Sequence, residues 1–116
     1  MATTAYVDSG GGFTWVPLDT GVEGCTLAYT KIGGVTYLKG EYPQTSVGIV
    51  TIMDTLPAGF RSLETHVRDL FWYNGSDSSS GVVPLTITSS GVMYFQIGGA
   101  GAKVARFHGI CFVAEQ

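Results

Sequence analysis

The chain has 116 residues, a net charge of −3 at pH 7, and only 13% charged against 45% hydrophobic residues. That length makes a single domain. Its six basic residues stand singly, without the stripe that nucleic acid or an anionic membrane requires. No run reaches the roughly 20 apolar residues of a membrane-spanning helix, so membrane insertion is not expected. The charged share is about half the usual one for a soluble domain. Part of the surface is therefore expected to be covered by a partner, most simply another copy of the chain.

Residues 1–12, "MATTAYVDSGGG", lack a basic-then-apolar export signal and end in three glycines. They read as a flexible arm or linker made in the cytoplasm, leaving 13–116 as the folded domain. Strand-like runs follow at 13–18, 25–32, 35–42, 47–53, 64–73, 82–88, 92–97 and 103–113. None carries a 3.6-residue apolar period, so no crossover helix is available. Eight strands with regular turn signals predict an all-β fold, an antiparallel jelly-roll-like sandwich.

The connections have physical causes. Gly33-Gly34 and Gly91 suit tight hairpin turns that need positive φ. "NGSDSSSG" (74–81) is small and polar, a solvated loop; its Asn74-Gly75-Ser76 matches a glycosylation acceptor but reads as a turn. Cys25 and Cys111, each in a strand-like run, are expected as reduced thiols, with a disulfide between adjacent strands as the alternative. Alternation puts Ala105, Phe107, Gly109, Cys111 and Val113 on the core side of the last run, and Arg106, His108, Ile110 and Phe112 opposite. In 64–73 it puts Glu64, His66 and Arg68 on one face, Thr65, Val67 and Phe71 on the other. Phe71 and one of Trp72 or Tyr73 are expected to point inward.

"TLPAGFRS" (55–62) packs a proline, a glycine and an arginine into one corner. It belongs to a series. "YTKIGGVTYLKG" supplies Tyr29, Lys31, Gly33, Gly34, Val35, Leu38 and Gly40; the corner supplies Leu56, Pro57, Gly59, Phe60 and Arg61; "ITSSG" supplies Ile87, Ser89 and Gly91. In this order the three motifs resemble the receptor-binding head domain of bacteriophage tail-fibre and baseplate proteins, over residues 13–113. Ser62 stands where that family usually has proline. The resemblance implies a homotrimeric β-sandwich head in the virion, attached to other tail proteins, that adheres to host cell-surface saccharide without catalysis or cofactor.

The segment after the corner, "HVRDLFWYNGSD", concentrates the groups that saccharide recognition uses. Flat rings cover pyranose C–H faces, while carboxylates, amides and guanidinium groups bond hydroxyls. His66, Arg68, Asp69, Trp72, Tyr73, Asn74 and Asp77 are the candidate ligand-binding residues, with the Arg106–His108 face as the fallback. His66 and His108 lack metal-ligand spacing. Two rival functions come from other classes. One is a structural decoration or fibre-cap protein without ligand. The other is a glycan-degrading enzyme pairing two of Asp54, Glu64, Asp69 and Asp77, though no feature of the sequence selects a pair.

Overall fold

The structure, a computed structural model, describes residues 14–44, 49–52, 54–76, 78–98 and 103–115. The expected arm, 1–12, and the candidate Asp77 lie outside them. Among the described residues the chain is all-β, without helix, and its strands pair antiparallel in two sheets. The strands are β1 (Val16–Pro17), β2 (Ala28–Ile32), β3 (Val35–Lys39), β4 (Glu41–Gln44) and β5 (Ile49–Thr51). They continue with β6 (His66–Tyr73), β7 (Ser80–Ile87), β8 (Met93–Gln96), β9 (Lys103–Arg106) and β10 (Cys111–Val113). A four-stranded sheet runs β1-β2-β3-β10, and a six-stranded sheet runs β4-β9-β6-β7-β8-β5.

Ten strands replace the expected eight because two long runs change sheet midway. The run 35–42 breaks at Gly40, where φ is 107° and a Cβ would collide with the Thr26 carbonyl. The run 103–113 breaks at the turn through His108 and Gly109. The two breaks lie side by side: Phe107 N–H donates to Gly40 O at 2.9 Å, and Leu38 N–H to Ile110 O at 2.9 Å. Both chains thus leave one sheet and enter the other through a single shared corner. This corner also corrects the side assignment of the last run. Ala105 and Phe107 are fully buried, as alternation requires, but beyond the turn the parity inverts. Ile110 and Phe112 are buried, Cys111 is half-buried, and Val113 is exposed. An odd shift within a run of period two moves every later side chain to the other face.

The core is one cluster to which both sheets contribute. Leu70, Leu85, Ile87, Met93 and Phe95 come from β6, β7 and β8, and Leu38 and Phe112 from the smaller sheet. Each fully buried aliphatic or aromatic side chain contributes about 1.5–3 kcal/mol. The six-stranded sheet curls until its edges approach. Tyr42 on β4 meets Phe95 on β8 edge-on, with 5.6 Å between centroids, and Gln44 Nε2 donates to Ile97 O at 3.2 Å. Cys25 and Cys111 are free, as the thiol reading expects.

Candidate functional site

The "LPAGFRS" corner is the meeting point of the three sequence motifs. Leu56 is completely buried, and its backbone N–H donates to Gly91 O at 3.0 Å, in the turn between β7 and β8. Arg61 Nε donates to Leu56 O at 2.8 Å. Gly91, with φ 92°, lies so close that a Cβ there would sit 2.5 Å from Leu56 O. On the corner's other side, Lys31 Nζ donates to Gly59 O at 2.7 Å, and the fully buried Thr36 hydroxyl donates to Phe60 O at 2.9 Å. Tyr29 meets Phe60 edge-on at 4.9 Å. The Glu115 carboxylate accepts from Gly59 N–H at 2.8 Å, closing the corner against the chain's last described residue. The corner is a brace between the β2–β3 hairpin, the β7–β8 turn and the C-terminal segment.

Directly after this brace the chain forms an open depression of about 360 Å³, lined by Ser62, Leu63, Glu64, His66, Arg68 and Val113. Ser62 is buried and bridges to Ala114, so its position is set by the brace. Its hydroxyl donates to Glu64 O at 2.7 Å and lies 3.2 Å from His66 Nδ1. The His66 ring stands edge-on to Phe112 at 5.8 Å. Burial of the ring, then the nearby Arg68 guanidinium, holds its pKa below the ordinary 6.5, against a smaller opposing pull from Glu64. Arg68 and Glu64 are exposed. Arg68 reaches only long contacts, 3.4 Å to Cys111 O and 3.5 Å to Val67 O. Leu63 and Val113, 62% and 59% exposed, form apolar walls. The exposed Glu64 carboxylate and Arg68 guanidinium therefore face one open space, with the buried Ser62 hydroxyl and the His66 ring behind them as a rigid base. Such a set can bond several hydroxyls or an anionic group at once.

The structure divides the sequence cluster. His66 and Arg68 enter this depression, whereas Tyr73 lies seven residues along β6, about 23 Å away at the rise of an extended strand. Asp69 points to the opposite, outer face, beside Pro84 on β7. Trp72 points inward against the core, with the indole under Gly81 and Lys103 Nζ 5.9 Å from its ring. Phe71, expected inside, is 43% exposed on the outer face, because Leu70 and Trp72 hold the inner positions of β6. Tyr73 lies under the Arg106 guanidinium at 4.8 Å, and Arg106 Nε bonds Glu41 Oε2 at 2.9 Å. Asn74 is buried, and its side-chain oxygen accepts from Ser76 N–H at 2.8 Å, the turn role read from Asn-Gly. His108 is exposed in the turn between β9 and β10, away from any metal-binding group of three or more ligands among the described residues.

Ser62, Leu63 and Val113 belong to the depression but were not among the candidates. Ser62 carried a usable signal: it replaces the proline of the resembled corner, and a hydroxyl there orients His66. Val113 was hidden by the parity inversion at Gly109. Comparison with family models, curated proteins and solved structures finds no match to this chain.

Proposed function

We propose that this chain is a receptor-binding module of a bacteriophage tail, adhering to bacterial cell-surface saccharide without altering it and acting as a homotrimer alongside other virion proteins. The observation that carries this reading is the polar, open depression built directly on the motif-bearing corner. The residues that make the sequence resemble a tail-fibre head are the ones that brace the floor of that depression. Its donors and acceptors suit a polyhydroxylated or phosphate-bearing polymer, and its two apolar walls suit sugar C–H faces. Among the described residues Glu64 is its single carboxylate, whereas hydrolysis by paired carboxylates calls for two facing each other. In this reading the two sheets are the layers of a jelly-roll-like sandwich.

The test is a panel of bacterial cell-wall polysaccharides immobilised on an array, probed with the intact protein. Binding to at least one polysaccharide is expected, with no release of reducing ends. Arg68→Ala and Glu64→Gln alter exposed side chains and should each weaken that binding about ten- to a hundredfold, the value of a lost charge-assisted hydrogen bond. Binding that both variants leave intact would remove the site from this depression. New reducing ends would favour the enzyme, and a folded protein that binds no polysaccharide would favour a structural virion module.

A further inference from the structure

We propose that the outer face of the six-stranded sheet is the surface through which copies of this chain associate. Five of the eight large hydrophobic side chains exposed among the described residues lie on this one face: Ile49, Val67, Phe71, Val82 and Tyr94. They are 68%, 54%, 43%, 60% and 38% exposed. Cross-strand register makes them continuous. Phe71 pairs with Val82, and Val67 pairs with Thr86, which pairs with Tyr94. Ile49 and Tyr94 wall a shallow depression of about 160 Å³ with Pro84.

The size of this face fits a second copy. The five side chains sit on the adjacent strands β6, β7, β8 and β5, which at about 3.3 Å per residue and 4.8 Å between strands span roughly 360 Å² of the curled sheet. Side-chain relief raises the accessible area toward the low end of specific interfaces, about 600 Å² per partner. The charges match as well. Among the described residues, the face carries only Asp69 near its middle and the Glu41–Arg106 pair at one edge. Among the described residues Asp69 has no hydrogen-bond or ion-pair partner. Arg106 of a second copy, half-exposed although paired with Glu41 in its own chain, offers its remaining guanidinium N–H groups to Asp69, beyond the same Phe71 that neighbours it. The saccharide depression opens elsewhere, so association through this face leaves it available.

This inference rests on the proposed function only for its expectation of self-association, and the two fail separately. Sedimentation velocity of the intact protein at micromolar concentration should give a multiple of 12.3 kDa. Val82→Glu should weaken association at least about a hundredfold, because an unpaired carboxylate would be carried into the interface. Val113→Glu, equally exposed but off this face, should leave the mass unchanged. Oxidative footprinting of the unmodified protein, which holds even if Val82→Glu misfolds, should show Phe71 and Tyr94 becoming more reactive on dilution. A monomeric wild type overturns the proposal, even if that monomer binds saccharide. So does an oligomer that folded Val82→Glu preserves, or footprinting of these two rings that is independent of concentration.

Discussion

Gly91 and Gly59 share one corner and nearly one backbone conformation, with φ of 92° and 90°, yet differ in what surrounds them. A Cβ on Gly59 would meet open space, whereas on Gly91 it would sit 2.5 Å from Leu56 O and 3.0 Å from Arg61 Nε. Alanine at either site bears the left-handed backbone penalty of about 1–2 kcal/mol. Only Gly91→Ala must also push the corner away from the β7–β8 turn. That weakens the Leu56 N–H bond to Gly91 O and the Arg61 Nε bond to Leu56 O, each worth about 1 kcal/mol net and more if left buried without a partner. Gly91→Ala should therefore cost about 3–5 kcal/mol and Gly59→Ala about 1–2 kcal/mol. At about 4 °C per kcal/mol for a domain of this size, the two melting temperatures should differ by roughly 8–12 °C. Thermal unfolding followed by far-ultraviolet circular dichroism checks this. Equal destabilisation by the two variants would show that the corner does not rest on the turn, and the bracing argument would fail.

Trp72→Ala should destabilise by about 2–3 kcal/mol, less than a fully buried ring would, since its half-buried ring packs on the core's margin under Gly81; a urea midpoint close to wild type would place the ring outside. Tyr73→Ala, on the outer face, should lose the contact with Arg106 and a long hydrogen bond to Glu41 Oε2, and its unfolding midpoint should stay near wild type. Because Cys25 and Cys111 are free, reductant should leave the melting temperature unchanged; a large drop would reveal a disulfide, worth roughly 2–5 kcal/mol.

The β-strands were legible because they rest on local physics. Period-two alternation assigned His66 and Arg68 to one face of β6 and Val67 to the other, and Asn74-Gly75 announced its turn. What escaped was any consequence of a strand changing sheets. Gly40 and Gly109 read as glycines inside strands, and only their tertiary contact makes them a corner. The inversion after Gly109 then exposed Val113 and buried Phe112, the reverse of continuous alternation. Phe71 was misassigned for a related reason. Its hydrophobicity argues for burial, but its place between Leu70 and Trp72 argues for the outer face, and the strand's geometry prevails. The candidate site suffered most, since residues adjacent in an extended strand separate by about 3.3 Å each. A cluster written over twelve letters therefore cannot stay whole in space: of it only His66 and Arg68 meet, and the rest of their surroundings come from Ser62, Leu63, Glu64 and β10.

His66 offers a test of that gathering at the level of a single proton. The Ser62 hydroxyl has one hydrogen, committed to Glu64 O at 2.7 Å. Toward His66 Nδ1, 3.2 Å away, it can present only a lone pair, so neutral His66 must carry its proton on Nδ1. Nε2 is then an acceptor, buried and without a partner among the described residues. Protonating it would place a charged donor in a site that offers no acceptor and faces Arg68, which is why the pKa lies below 6.5. The sign for stability follows. Below pH 6.5 the unfolded chain binds the proton and the folded chain does not, so unfolding becomes easier as pH falls from 6.5 toward the lower folded value. Above 6.5 this dependence should vanish. His66→Gln should flatten the pH profile in that window. Nitrogen-15 shifts of the imidazole at neutral pH should report the Nδ1–H tautomer, and Ser62→Ala should release it. An Nε2–H tautomer in the wild type, or an unfolding profile that His66→Gln leaves unchanged, would mean that Ser62 does not orient this ring and that the depression lacks the preorganisation assigned to it.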